Sequence, residues 1–133
     1  GMAFNNAGLG HVHAMSHQLG GMYDLPHGVC NALLLPHVCE ANLMAAQARY
    51  ADIAEALGEN VYGLPLREAA EMAIVAIRCL SEDVGIPATL SELGVKESDI
   101  EEMVKHAQLD VCAVTNPRKL NDQEVAAIFK AAM

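Results

Sequence analysis

Five of the six histidines of the chain fall within its first 37 residues: His11, His13, His17, His27 and His37. Imidazole is the side chain that most readily ligates a transition metal and moves a proton near neutral pH, so this concentration asks for a chemical reason. His13 and His17 are four apart, which on a helix puts both rings on one face, about one turn from each other. That spacing lets two imidazoles converge on one ion, as in HExxH metalloenzymes. The glutamate that serves those enzymes as general base is missing, because Ala14, Met15 and Ser16 fill the gap.

A His-x3-His pair alone is more often structural or merely exposed than a metal site. His27 adds weight to the metal reading. It follows the Gly20-Gly21 pair and stands next to Pro26, where a helical hairpin would return it beside His13. Clustered histidines are poorly explained as core packing. A catalytic divalent site nevertheless needs three or four protein ligands and an open position. Asp24, the nearest carboxylate, is better used as a helix cap, so the spacing leaves the coordination shell incomplete. His11 reads as a pocket-edge or solvated residue, His37 (after Pro36) as a capped or interhelical one, and His106 as surface.

The elements that would position these residues are helical throughout. Apolar residues make up 53% of the 133-residue chain, with no Trp. Ala, Leu and Met, which dominate, lose little freedom in a helical turn. The expected helices run from Ala7 to Leu19, broken by Gly20-Gly21; from Gly28 to Met44, after an Asp24 cap and with Pro36 inside; from Ala45 to Leu57, closed by Gly58; and from Pro65 to Val84, closed by Gly85. A Pro-containing turn follows between Ile86 and Val95. Ser98 with Glu101 and Asn121 with Glu124 are capping-box patterns for two more helices, ending near Gln108 and Met133. The stretch from Asp110 to Lys119 is an ordered loop. Alternating strand patterns are absent, which predicts one all-α domain over residues 1–133.

The net charge of −9 argues against nucleic acid and against anionic membrane surfaces, both of which call for Lys and Arg. Cys30, Cys39, Cys79 and Cys112 form no CxxC pair and read as free thiols buried in helices, in keeping with a reducing cytoplasm. No signal peptide and no membrane-spanning stretch is recognisable.

Residues 1–37 resemble the iron-containing alcohol dehydrogenase family. The likeness is carried by Gly10-x-Val12-His13-x-x-Ser16-His17-x-Leu19-Gly20-Gly21, then by Leu25-x-His27-Gly28-x-Cys30. It continues through Tyr50-Ala51-Asp52-Ile53-Ala54, Gly85-Ile86-Pro87, Gly94-Val95-Lys96, Thr115-Asn116-Pro117-Arg118 and the final Ile128 to Met133. Within the family the chain looks closest to the 1,3-propanediol dehydrogenases and the NAD-dependent methanol dehydrogenases of bacilli. The resemblance implies the C-terminal helical domain of a two-domain enzyme with the metal in the cleft between domains. It implies His13 and His27 as metal ligands, and His17 as a nearby residue that relays a proton or contacts the nicotinamide. Phe4 and Cys112 match positions that line the substrate pocket.

An Asp and a His ligand and the N-terminal dinucleotide-binding domain, which the family has upstream, are expected to precede Gly1. The implied chemistry is hydride transfer between a small alcohol or aldehyde and NAD. Iron(II) would act as a Lewis acid, zinc is a possible substitute, and a homo-oligomer is expected. Two rivals stand beside this reading: a free-standing helical metal-binding module, and a zinc-using relative of the glycerol dehydrogenase type.

Overall fold

Seven α-helices and four short 3-10 turns account for the architecture, and no strand is present. The computed structural model describes all 133 residues. The helices are α1 (Met2–Ala7), α2 (His11–Tyr23), α3 (His27–Asn42), α4 (Gln47–Ala56), α5 (Leu66–Asp83), α6 (Ile100–Leu109) and α7 (Asp122–Ala131). Single 3-10 turns lie at Leu43–Ala45, Ser91–Leu93 and Glu97–Asp99, and a longer one at Val111–Thr115. The expected all-α class is therefore what is found.

Two apolar clusters organise these helices. In the larger, Met15 and Leu19 of α2, Leu34 and Val38 of α3, Met103 of α6 and Phe129 of α7 are among the most deeply buried side chains. In the smaller, Tyr50 and Ala54 of α4 meet Ala70, Ala73 and Ile74 of α5 over the C-terminal end of α3, where Cys39 contributes. Helix α3 thus belongs to both. No helix is long and apolar enough to cross a membrane.

Several local expectations need correction. The Gly20-Gly21 pair does not break the first long helix, which continues through both residues to Tyr23. The chain reverses instead at Asp24, whose left-handed backbone (φ 54) closes α2. Asp is among the few non-glycine residues that tolerate this region. Asp24 is thus the end of α2 rather than the cap of α3. Pro26 occupies the N-cap position, where its missing N–H costs nothing. The chain before His11 is separate, since Gly8 to Gly10 part α1 from α2.

Of the two capping boxes, the one at Asn121 and Glu124 forms reciprocally. The one at Ser98 and Glu101 does not: Asp99 is the N-cap residue, Ser98 Oγ donates to its carboxylate, and Glu101 pairs with Lys105 at 2.8 Å. The Tyr23 hydroxyl also donates to the Asp99 carboxylate, which is thus engaged by Tyr23 and Ser98 and makes no cap hydrogen bond of its own. The expected loop after Asp110 includes the 3-10 turn.

The thiols also differ from expectation. All four are free, but only Cys30 and Cys39 are buried; Cys79 is exposed and Cys112 half-buried on the 3-10 turn.

The segment around Asn116 is what closes the domain. Asn116 Oδ1 accepts from the backbone N–H of His11 at 3.2 Å, capping α2 from a distance of 105 residues in sequence. Asn116 and buried Asn42 exchange two amide hydrogen bonds, 3.0 and 2.7 Å. Arg118 donates to the Ala41 carbonyl near the end of α3 and to Glu124 of α7, both at 2.7 Å. The Thr115 hydroxyl bonds the Leu9 carbonyl. Such a close approach is possible only because residue 8 is glycine. With φ +75, a Cβ there would meet Thr115 atoms at 2.7–2.9 Å.

Candidate metal centre

The helical hairpin α2–α3 brings the three key histidines together. His13 and His17 point from one face of α2, and His27 is the first residue of α3 after the Asp24 reversal. Ring centroids lie 5.2 Å apart for His13 and His27, 5.3 Å for His17 and His27, and 6.2 Å for His13 and His17. His17 and His27 stack nearly parallel, at 18°.

Asn31, one turn after His27, shows where two of these rings are aimed. Its amide nitrogen lies 2.9 Å from His27 Nε2 and 3.3 Å from His13 Nε2. One donor serving both means that the two Nε2 lone pairs face a common point, as they must to share a cation. Burial lowers the pKa of His13, and its neighbours His27 and His17 lower it further, which keeps the ring neutral and able to ligate. The Oδ1 of Asn31 is buried without a hydrogen-bond partner. A neutral imidazole pair converging beside an orphaned amide oxygen fits a divalent ion of the iron or zinc kind.

His17 faces elsewhere. Its Nδ1 donates to Asp110 Oδ2 at 2.7 Å, and Asp110 Oδ1 accepts from the Cys112 N–H at 2.8 Å. Burial alone would raise the Asp110 carboxyl, but hydrogen bonds from His17 and Cys112 hold it below its ordinary value. Burial pushes the Cys112 thiol up, with Asp110 adding to the shift.

Phe4 and Cys112 end up on different sides of this cluster. Exposed Phe4 packs edge-on to His13, centroids 6.0 Å apart, and lines an open cleft of about 780 Å³ with His13, His27, Asn31 and Leu35. Cys112 reaches the cluster through Asp110 and His17 and does not line that cleft.

The other histidines separate from the site. His11 does edge a cavity, together with Gln108 and Asn116, but it is buried rather than solvated, and burial lowers its pKa. His37 lies between α3 and α5 beside Arg78, in the interhelical position expected. His106 is on the surface, 3.9 Å from Glu102.

Sequence reasoning missed Asn31 and Asp110. Asn31 had a signal, since its four-residue spacing from His27 puts both on one helix face. Asp110 is 93 residues from His17 and had none.

An all-helical domain with converging imidazoles at the mouth of a hairpin is a class of structure, and comparison narrows it. The profile of the Fe-containing alcohol dehydrogenase family, C-terminal, matches residues 1–133. The 1,3-propanediol dehydrogenase of Klebsiella pneumoniae is 61% identical over 132 residues, which is 99% of this chain and 34% of that protein. The NAD-dependent methanol dehydrogenase of Bacillus methanolicus is 53% identical over 133 residues, all of this chain and 35% of that protein. The crystal structure of a 1,3-propanediol oxidoreductase superposes with a TM-score of 0.99 at 60% identity, over 100% of this chain and 35% of that one. The chain belongs to the Fe-containing alcohol dehydrogenase family, in its C-terminal part, and spans about a third of the length of the curated relatives it matches.

Proposed function

We propose that this chain is the metal-ligating C-terminal domain of an NAD-dependent alcohol dehydrogenase acting on a small primary alcohol or diol, or on the corresponding aldehyde. The observation that carries the reading is the single Asn31 nitrogen between His13 Nε2 and His27 Nε2. Those two nitrogens would hold iron(II), or zinc in its place, together with an Asp and a His from an upstream domain that also binds NAD. When bound, the ion supplies Lewis acidity to the substrate oxygen, and the nicotinamide exchanges the hydride.

The chain's own residues have separate tasks. Asn31 orients both imidazoles from one turn below. Phe4 walls the cleft beside His13 and gives the carbon chain of the substrate an apolar surface. His17 carries the alcohol proton toward Asp110 or solvent, or packs against the nicotinamide, and Asp110 fixes its ring orientation. Cys112 is a pocket wall on the Asp110 side. Exposed Leu109, Val111 and Val114 flank Asp110 and Cys112 in the chain, and we assign them to the surface that meets the upstream domain. The whole enzyme is a cytoplasmic homo-oligomer on this reading.

The test is elemental analysis of variants in the enzyme that carries this domain. His13→Ala and His27→Ala lose the bound metal together with activity. The expected loss of metal affinity is above about 100-fold, because even outer-shell partners cost roughly 10–100-fold. His17→Ala keeps most of its metal and loses rate or cofactor affinity. Equal metal loss in all three variants would make His17 a ligand and overturn the assignment. The domain alone, holding an ion through two imidazoles, forms no NADH from 1,3-propanediol.

A further inference from the structure

A second set of donors lies on the far side of His17. His17 Nδ1, a carboxylate oxygen of Asp110 and Cys112 Sγ all sit within 4.8 Å of one another. The Asn31 nitrogen that marks the His13–His27 point bonds none of the three. We propose that His17, Asp110 and Cys112 form a separate cation site that takes a zinc-like, borderline-soft divalent ion.

The donor chemistry selects the ion. Imidazole, carboxylate and thiolate are three ligands zinc accepts in one tetrahedral shell, with water in the fourth position. Magnesium and calcium prefer oxygen and disfavour a thiolate. The geometry is close to what is needed. Metal–ligand bonds of roughly 2.0–2.3 Å place tetrahedral donors about 3.3–3.8 Å apart, so on binding the His17–Asp110 pair opens from 2.7 Å while Cys112, within 4.8 Å of both, draws in.

The backbone that carries Asp110 and Cys112 is already fixed to α2. The Thr115 hydroxyl holds Leu9, and Asn116 holds the His11 N–H, so the three donors are carried on backbone that is tied together before any ion binds. On binding, the hydrated ion exchanges its waters for the three side-chain donors and keeps one, and the Cys112 S–H bond gives its proton to solvent. His17 moves its proton through solvent from Nδ1, where it bonds Asp110, to Nε2, which frees the Nδ1 lone pair for the ion. Because this nitrogen otherwise holds Asp110, an ion here is inhibitory if His17 carries a proton as proposed above; ion binding itself does not depend on that role.

Titration of the 133-residue chain with cobalt(II), followed by its thiolate-to-cobalt charge-transfer absorption, tests the proposal. One equivalent of thiolate-bound cobalt is expected, displaced by one equivalent of zinc and unaffected by excess magnesium. Cys112→Ser abolishes the band. Asp110→Asn and His17→Ala weaken binding roughly 10–100-fold. A His13→Ala/His27→Ala double variant keeps the band, since its donors are not used; failure of the His13–His27 ligand assignment would show separately, as unchanged metal content of the His13→Ala and His27→Ala variants in the enzyme that carries this domain. A Cys30→Ser control also keeps it. Circular dichroism of each variant separates loss of the site from loss of the fold, and His17→Ala carries the same readout should Cys112→Ser unfold. Absence of a thiolate band in the unaltered chain overturns the proposal, as does a band that survives Cys112→Ser. A band lost in the folded double variant also overturns it, by joining Cys112 to the His13–His27 point.

Discussion

The helices that bear the histidines and the more Ala-rich hairpin α4–α5 hold together in different ways. Around the site, α2 and α3 pack on α6 and α7 through large, fully buried side chains: Met15, Leu19, Leu34, Met103 and Phe129. Residues near the start of the chain are thereby closed against residues near its end. The hairpin buries Tyr50 and Ile74 but otherwise joins through Ala54, Ala70 and Ala73, and it leaves Val75 and Leu80 half in solvent. Its closure is local and its apolar gain smaller. Ligand geometry needs the first kind of packing, because rings converging on one point tolerate little movement. The hairpin is the part that can open by itself.

The comparison is broken most directly by cutting one large side chain from each part. Phe129→Ala removes a fully buried ring and is expected to cost about 3–5 kcal/mol, with loss of metal uptake at His13 and His27. Ile74→Ala is expected near the low end of the range for such truncations, about 2 kcal/mol, because its neighbours are small and the site can collapse. Urea unfolding gives the two costs, and hydrogen exchange shows where they fall. Faster exchange confined to α4 and α5 in Ile74→Ala is the expected result. If exchange rises equally in α2 and α3, the two regions are one cooperative unit.

The same contrast explains what could be read from sequence. The all-α class, the His13–His17 face and the Asn121–Glu124 capping box depend on spacing within one or two turns, and spacing is visible in a sequence. The hairpin reversal was placed a few residues early. Gly20-Gly21 looked like the break, whereas packing of Leu19 and Tyr23 against the core carries α2 through it, and Asp24 supplies the left-handed residue. Ser98 does not cap because it lies inside the 3-10 turn before α6 and its hydroxyl donates to Asp99, which Tyr23, far away in sequence, also engages. Asp110 was invisible as a partner of His17 for the same reason. Family resemblance marked Thr115-Asn116-Pro117-Arg118 without giving its purpose, which is to cap α2 and tie α3 to α7.

Asn116 offers the next test. Asn116→Ala removes the cap on His11 and strands the buried Asn42 amide, an expected cost of about 1–3 kcal/mol. Asn42→Ala added to it should cost little more, since the partner is already lost. Chemical denaturation of the single and double variants measures this. Additive costs would mean that the two amides act independently and that the clamp is not what closes the site region.

A smaller effect is expected at the start of α7. Asn121→Ala should cost about 1 kcal/mol through loss of the side-chain cap. Glu124 completes that capping box. The Asn121 backbone N–H, and then Arg118, hold its carboxyl below the ordinary range. Its folded-state pKa is depressed, so its contribution is present above the unfolded-state value and is lost as pH falls through the folded one. Acid titration of stability should therefore be shallower in Glu124→Gln than in the unaltered chain. An unchanged slope would remove Glu124 from the clamp.

The smallest effect is expected where the two regions touch through charge. Arg78 of α5 reaches Glu40 of α3 at 2.7 Å, with side chains 41% and 52% exposed. At that exposure the Coulomb gain is screened by water and offset by the entropy of fixing two long side chains, and pairs of this kind contribute about 0–1 kcal/mol. If the hairpin is held mainly by the small apolar contacts of Cys39, Tyr50, Ala70 and Ala73, then Glu40→Gln, Arg78→Gln and the double variant should differ little in stability. A double-mutant cycle isolates the pair from the separate effects of each change. The expected coupling is below about 1 kcal/mol and falls further in high salt. A coupling above that, insensitive to salt, would mean that the hairpin is fastened to α3 by this ion pair. Its looseness would then be set by charge rather than by a shortage of buried apolar surface.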